Sequence, residues 1–140
     1  MRYAYAVEIE VEPEGITITC PDVPEMITCG DTEAEALARA TDALVSALSF
    51  YTDDGRPLPV PTATGMHIVS VPALAAAKFA LNDAMVAAKL SNVELARRIG
   101  IDEKTVRRLR DPLHRSHIGQ VETALAALGK RVLIDIAVAA

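Results

Sequence analysis

Six of the fourteen Lys and Arg residues lie within fourteen positions, in a chain whose formal net charge is -5. Arg can donate two hydrogen bonds to the edge of guanine, and both Arg and Lys can contact phosphates. This density of cations therefore indicates a surface that binds a polyanion such as nucleic acid. The six cations are Arg97, Arg98, Lys104, Arg107, Arg108 and Arg110.

Two short helices joined by a tight turn are predicted to carry these cations. Ser91 and Glu94 have the spacing of a capping box, Gly100 is placed to end the first helix, and Asp102 is placed to begin the second. The apolar residues then fall on the facing sides of the two helices, and the small Ala96 lies where they cross. Those apolar residues are Leu95, Ala96, Ile99, Ile101, Val106 and Leu109.

This pattern resembles the helix-turn-helix of the phage-repressor-like family, in which the second helix lies in the major groove of DNA. With Val106 and Leu109 facing inward, residues 103, 104, 107 and 108 are expected to form an outward strip. Hydroxyl, amide and guanidinium groups nearby are expected to contact phosphates. The alternative is a charged face that is only solvated. The expected DNA contacts are Asn92, Glu103, Lys104, Thr105, Arg107, Arg108 and Arg115.

Three carboxylates near the start of the chain raise the question of nuclease chemistry. Glu8, Glu10 and Glu12 share one face of a predicted strand. Two-metal hydrolysis needs several carboxylates converging on ions about 4 Å apart. Because the same alternation turns Val7, Ile9 and Val11 toward a core, a solvated strand face is the favoured interpretation. A metal-dependent ribonuclease using Glu8, Glu10 and Asp22 is kept as a third hypothesis.

Histidine and cysteine give little indication of a metal site. His114 and His117 have a spacing that occurs in metal sites, but neither a Cys nor a third His accompanies them. Cys20 and Cys29 are expected to be reduced, inert core or strand residues. We expect no cofactor, no bound metal and no enzymatic activity.

The charge divides the chain into two parts. Residues 1–66 hold twelve Asp and Glu against three Arg, a balance of -9, whereas residues 67–140 hold seven acids against eleven Lys and Arg, a balance of +4. Such asymmetry suggests two domains with different partners, for which we predict the bounds 1–71 and 72–140. The first residues lack a signal peptide's apolar stretch, and no apolar run approaches about 18 residues. A cytoplasmic protein without membrane contact is expected.

The pattern of apolar residues predicts an α+β fold. "YAYAVEIEVE", "GITITC" and "MITC" indicate strands, a helix capped by Thr32 and Glu35 follows, and "MHIVSVP" is a further strand after a loop over 52–65. The first half is therefore βββαβ, and the second half is helical. Ser116 is expected to cap the last helix. The alternating "RVLIDIAV" predicts a terminal strand that pairs with a second copy of the chain.

The stretch "CPDVPEMITCGDTEAEALARATDAL" resembles the signature of HicB-type antitoxins. It has a Pro-Asp-hydrophobic-Pro turn at residues 21–24, Gly-Asp-Thr at 30–32, and Glu-Ala-hydrophobic at 35–37. The similarity continues through "DGRPLPVPT" and "VSVP" to the closing "LGKRV", so it covers almost the whole chain.

The resemblance implies a partial ribonuclease H-like N-terminal domain that binds and covers a small, basic, mRNA-cleaving toxin of the HicA type. It also implies a C-terminal domain that dimerises and represses the operon of both proteins by binding operator DNA. The acidic first half fits a cationic partner independently. A ligand-sensing helix-turn-helix repressor is the alternative function. The candidate toxin contacts are Glu8, Glu10, Asp22, Glu25 and Asp31.

Overall fold

The computed structural model describes residues 1–138. Within them the fold is mixed α+β, as predicted, and the chain divides after Pro72 into two compact units. The elements are β1 (Ala4–Glu12), β2 (Gly15–Thr19), β3 (Ile27–Gly30), α1 (Glu33–Asp53), β4 (His67–Ser70), α2 (Ala73–Ala88), α3 (Asn92–Ile99), α4 (Glu103–Arg110) and α5 (Ile118–Ala127).

The first unit is a four-stranded antiparallel sheet covered on one face by α1. The strand order is β3-β2-β1-β4. β1 and β2 form the predicted hairpin, in which Gly15 has a φ of 147°, a conformation that favours glycine. Tyr5 and Ile18 from the sheet and Leu44 and Leu48 from α1 are fully buried. Alternation along β1 and β2 therefore turns one face to the core and leaves the other open, except near the end of β1, where Val11, expected to face the core, is 75% exposed.

The approach of α1 to β3 depends on two local features. Thr32 is the N-cap residue, and its hydroxyl accepts a hydrogen bond from the backbone N–H of Glu35 at 3.1 Å. A Cβ added at Gly30 would lie 2.7 Å from the backbone nitrogen of Ala36, so glycine permits this close contact. The helix then runs to Asp53, two residues into the segment predicted as a loop.

The segment 54–66, between α1 and β4, is attached to the sheet by side chains. The Tyr5 hydroxyl donates to the carbonyl oxygen of Pro59 at 2.7 Å. The Asp22 carboxylate accepts from the backbone N–H groups of Thr62 and Ala63, each at 2.9 Å, and from the Thr62 hydroxyl at 2.8 Å. The turn at residues 21–24 therefore holds this segment in place.

The second unit packs four helices around one apolar cluster. α2 lies against α5, and the pair α3 and α4 closes the rest of the cluster. Ser91 and Glu94 form the predicted capping box, and Gly100 ends α3 with a left-handed φ of 72°. The fully buried side chains of this cluster include Leu81, Met85, Leu95, Val106, Leu109, Val121 and Leu125.

The prediction that Ser116 caps α5 is wrong. The N-cap residue is His117, and its side chain makes no capping hydrogen bond. The Ser116 hydroxyl instead accepts a hydrogen bond from the ammonium group of Lys78 at 2.8 Å. The buried ammonium provides a charged donor, which makes a stronger hydrogen bond than a backbone N–H does.

The terminal strand, predicted to pair with a second copy of the chain, has no partner strand in the single chain, and the described residues 131–138 are without regular structure. A strand needs a neighbouring strand for its backbone hydrogen bonds, and the described strands all belong to the first unit. Val132 packs against the apolar cluster, but Leu133, Ile136 and Val138 are 79%, 86% and 98% exposed. The tail of this single chain therefore presents apolar side chains to solvent.

Candidate functional site

Three cations project from α4 into solvent. Val106 and Leu109 are fully buried on the inner side of the helix, so Lys104, Arg107 and Arg108 are left exposed on the outer side. We call these three residues the α4 strip. The exposed outward strip that the sequence predicts is confirmed for its three cations.

Glu103, the acidic residue of the predicted strip, is bound to its neighbours. Its Oε2 forms an ion pair with Arg107 at 2.7 Å, and its Oε1 accepts from the Asn92 side chain at 3.5 Å. The Arg107 side chain nevertheless remains 65% exposed. Glu103 therefore orients Arg107 along α4 and connects α4 to α3.

Asn92 and Arg110 belong to a hydrogen-bonded network inside the second unit. Arg110 donates from one guanidinium nitrogen to the Asn92 side-chain oxygen at 2.7 Å, and from Nε to the Asn82 side-chain oxygen at 2.6 Å. Burial lowers the pKa of Arg110 from its ordinary value. Arg110 is thus a structural cation, and both the oxygen and the NH2 group of Asn92, an expected phosphate contact, have partners within the unit.

Thr105 helps to begin α4. Its hydroxyl and its backbone N–H both bind the Asp102 carboxylate, the latter at 2.7 Å, and these bonds hold the pKa of Asp102 below its ordinary value. The Thr105 side chain also lines a cavity between α4 and α5. The cavity is lined by Ile99, Ile101, Thr105, Leu109, Gln120 and Thr123.

Arg115 lies exposed in the loop between α4 and α5. Its two neighbours in sequence, His114 and Ser116, are both bonded to the buried Lys78. The carbonyl oxygen of His114 and the hydroxyl of Ser116 accept hydrogen bonds from its ammonium at 2.6 and 2.8 Å. Arg115 is therefore placed by a fixed segment of backbone. Arg97 and Arg98 are also exposed, at the end of α3.

Lys78 is a residue of this unit whose role was not predicted from the sequence. It is fully buried, and its ammonium also donates to the carbonyl oxygens of Arg108 and Asp111 at 2.9 and 3.0 Å. Burial lowers its pKa, and the charge of Asp111 opposes that effect. The available signal was position, since Lys78 follows the five apolar residues 73–77 of α2 and precedes Phe79.

In the first unit, Glu8 and Glu10 lie side by side on the open face of the sheet. Both are exposed, and the cross-strand pairing places Thr19 opposite Glu8 and Thr17 opposite Glu10. The next strand adds Ile27 and Cys29 to the same two rows. We call these six residues the open sheet face. Ile27 is 66% exposed, so the surface combines carboxylates with an apolar group.

The other three acidic candidates lie elsewhere in the unit. The three bonds from Thr62 and Ala63 to Asp22 lower its pKa, the backbone bond from Ala63 most. Glu25 accepts from the Tyr51 hydroxyl at 2.7 Å, and this bond lowers the pKa of Glu25. Asp31 is exposed just before α1. The structure therefore brings Glu8 and Glu10 together and employs Asp22 and Glu25 in internal bonds.

Within residues 1–138, no group of three or more His, Cys, Asp or Glu side chains is arranged to hold a metal ion. Cys20 is buried and Cys29 exposed, and both are free thiols. Burial raises the pKa of Cys20. Across the same described residues, each helix is too short or too polar to cross a lipid bilayer.

The sequence of residues 2–80 places the chain in a class of proteins. Residues 2–80 match the family described as HicB-like antitoxin of bacterial toxin-antitoxin system, and the chain belongs to this family. It is 41% identical over 139 residues to Antitoxin HicB of Pseudomonas fluorescens (strain Pf0-1), which covers 97% of this chain and 95% of the relative. It is 42% identical over 128 residues to Antitoxin HicB 2 of Photorhabdus laumondii subsp. laumondii, covering 91% of this chain and 92% of the relative. Antitoxin HicB of Escherichia coli (strain K12) is 38% identical over 131 residues, 91% of this chain and 95% of that protein.

Proposed function

We propose that this chain is a cytoplasmic, non-enzymatic antitoxin that neutralises a small, basic, mRNA-cleaving toxin and represses its own operon. The observation that carries the proposal is the coexistence of a HicB-like sequence over residues 2–80 with the exposed cations of α4. Residues 1–71 form the toxin-binding domain, a partial ribonuclease H-like fold. Residues 72–140 form the DNA-binding and dimerisation domain.

The case for operator binding rests on α3 and α4, which we interpret as a helix-turn-helix. α4 places the α4 strip on the side away from the apolar cluster, where a recognition helix presents residues to the major groove. Arg107 and Arg108 are proposed to read bases, and Lys104 to contact a base or a phosphate. Arg115, Asn92 and Thr105 are proposed phosphate contacts, of which Arg115 has the most exposed position.

The case for toxin binding rests on the open sheet face. α1 covers the opposite face of the sheet, and residues 1–66 carry a charge balance of -9. An acidic surface attracts a cationic nuclease and accelerates the encounter, while Ile27 offers apolar contact area. Glu8 and Glu10 are therefore the proposed centre of the toxin contact, with Asp22, Glu25 and Asp31 as further candidates. Binding there would cover the surface on which the toxin receives RNA.

The case for a homodimer rests on the tail after α5. Leu133, Ile134, Ile136 and Val138 are all more than 60% exposed. We propose that these side chains pack against a second copy, which would place two helix-turn-helix units on half-sites about one DNA turn apart. Ile134→Asp with Ile136→Asp should yield monomers in light scattering and weaker operator binding. Met66→Asp, at an exposed apolar position of the first unit, is the control.

The deciding experiment is affinity purification of the tagged chain from its native host at moderate salt, followed by mass identification of the co-eluting protein. A stoichiometric, strongly basic partner well below the size of this chain is expected. The purified chain should also shift a duplex from its own promoter. The proposal fails if the chain neither neutralises a small basic protein encoded beside it nor binds that promoter.

The toxin surface is tested by charge reversal. Glu8→Lys with Glu10→Lys should abolish toxin capture and leave promoter binding intact. Glu33→Lys with Asp42→Lys changes the net charge equally at exposed positions of α1, and is the matched control. Equal loss in both double variants would mean that net charge, rather than the open sheet face, governs the interaction.

A further inference from the structure

We infer that Lys78 is a positioning residue for operator binding, one that fixes both the end of α4 and the loop that carries Arg115. The inference rests on the proposed function, because it concerns how DNA contacts are held. Lys78 does not touch DNA in this view. It acts through the backbone of residues that do.

Four acceptors surround the ammonium group of Lys78. Lys78 Nζ has four within hydrogen-bond distance, the carbonyl oxygens of Arg108, Asp111 and His114 and the hydroxyl of Ser116, at 2.9, 3.0, 2.6 and 2.8 Å. An ammonium has three protons, so they are shared among the four oxygens. A charge that is fully buried is costly unless it is bonded in this way. The buried position of Lys78 is therefore stable only while these four oxygens accept its hydrogen bonds.

The C-terminal end of α4 is bound by side chains of α2. The last carbonyl groups of a helix have no partner inside the helix, and a cation near them also interacts favourably with the helix dipole. Lys78 binds the carbonyl of Arg108, and Asn82, one turn later on α2, binds the carbonyl of Arg110 at 2.8 Å. α2 thus holds two carbonyls of the last turn of α4. This fixes the position of α4 along its axis, and with it the direction of Arg108.

The loop after α4 is bound by the same ammonium group. Three of the four acceptors, at Asp111, His114 and Ser116, belong to this loop and curve around the ammonium. Arg115 lies between two of them and is exposed. One buried charge therefore sets the spacing between Arg108 and Arg115. Base contacts and phosphate contacts must keep such a spacing to act together on one stretch of DNA.

The test is operator binding by Lys78→Met, which keeps an unbranched side chain only one heavy atom shorter and removes its donors. Fluorescence anisotropy with the promoter duplex and a scrambled duplex should be recorded at several salt concentrations. We expect a loss of about tenfold or more for the promoter, the equivalent of a lost base contact, and a slope of log K against log salt that is smaller by about one. A side chain that only stabilised the fold would leave that slope unchanged in the folded variant.

Ser116→Ala guards against a variant that does not fold. It deletes one acceptor and leaves the ammonium three, so circular dichroism should match that of the wild type. A smaller loss of promoter affinity in the same direction is expected. Thr123→Ala, on the exposed side of α5, is the matched hydroxyl deletion and should bind normally.

The outcomes separate the two proposals. If the wild-type chain binds no promoter duplex, the proposed function fails and this inference fails with it. If the wild type binds, and both folded variants bind with unchanged affinity and salt slope, only the role of Lys78 is overturned. If Lys78→Met does not fold, Ser116→Ala alone decides in the same way.

Discussion

Glu103 and Arg107 form an ion pair of 2.7 Å along the exposed side of α4, so the one acidic residue of this helix is bound to a cation that we propose to read DNA. Glu103→Gln should release Arg107 and remove a charge that repels phosphates. We expect tighter binding to a scrambled duplex and a smaller ratio of specific to non-specific affinity. Anisotropy at one fixed salt concentration measures both. Glu33→Gln in α1 removes the same charge from the other unit, and should leave both affinities unchanged.

Arg108→Ala and Arg115→Ala separate the two kinds of DNA contact. Arg108→Ala should cost about 1–3 kcal/mol on the promoter and little on a scrambled duplex, because a base contact is lost. Arg107→Ala should behave in the same way. Arg115→Ala should weaken binding to both duplexes alike and reduce the salt slope by about one, because a phosphate contact is lost. Toxin capture should survive all three changes. Unchanged promoter affinity in both Arg107→Ala and Arg108→Ala would show that α4 is not the recognition helix.

Gly100→Ala and Gly119→Ala should change stability in opposite directions. Gly100 has a φ of 72°, where Ala is strained, so its replacement should lower the free energy of unfolding by about 1–2 kcal/mol. Gly119 lies within α5, where an added Cβ meets no neighbouring atom within 4 Å. Ala at that position should raise the free energy of unfolding by about 0.5–1 kcal/mol. Urea titrations of both variants and the wild type provide the comparison. A stability change of the same sign in both variants would contradict either the strain at Gly100 or the open space at Gly119.

Gly30→Ala should damage the first unit selectively. The new methyl group would lie 2.7 Å from the backbone nitrogen of Ala36, and backbone cannot move aside as a flexible side chain can. α1 must shift away from β3, so toxin capture should weaken while promoter binding is retained. Gly65→Ala is the control, since its φ is not left-handed and the nearest atom to an added Cβ there is the Cβ of Ala6 at 3.7 Å, an ordinary contact. Normal toxin capture by Gly30→Ala would mean that the toxin contact does not depend on this packing.

Asp22 should make the first unit sensitive to acid. Its bonds to Ala63 and Thr62 hold its folded-state pKa below the ordinary value of 3.8 that applies in the unfolded chain. Its contribution to stability is therefore complete above that value and is lost as the pH falls through the folded-state pKa. The thermal midpoint of the wild type should fall more steeply below pH 4 than that of Asp22→Asn. Asp42→Asn, at an exposed position of α1, should follow the wild-type curve.

Local patterns in the sequence predicted most of the elements correctly. Alternation placed β1 and β2, and the capping residues Ser91, Gly100 and Asp102 placed the ends of α3 and the start of α4. These signals act over three or four positions, so they can be recognised without knowledge of the tertiary fold. The inward positions of Val106 and Leu109 follow from the helical period in the same way.

The contacts that the sequence did not predict depend on partners distant in the chain. Lys78 and Arg110 belong to residue types that are normally exposed, and their acceptors lie about thirty positions away. The role of Ser116 followed from Lys78, and was missed for the same reason. The terminal strand was predicted to pair with a second copy of the chain, so it stays a prediction: alone, the chain offers residues 131–138 no neighbouring strand.

The attachment of segment 54–66 also determines where the chain can be cut. Exposed segments without regular structure are the usual sites of proteolytic cleavage, but here Pro59, Thr62 and Ala63 are bonded to Tyr5 and Asp22. Cleavage in this segment therefore requires that those hydrogen bonds first break. When opening is fast relative to cleavage, the rate of cutting measures the population of the open form. The rate of limited proteolysis therefore reports how often segment 54–66 detaches from the sheet, and it can be measured without any binding partner.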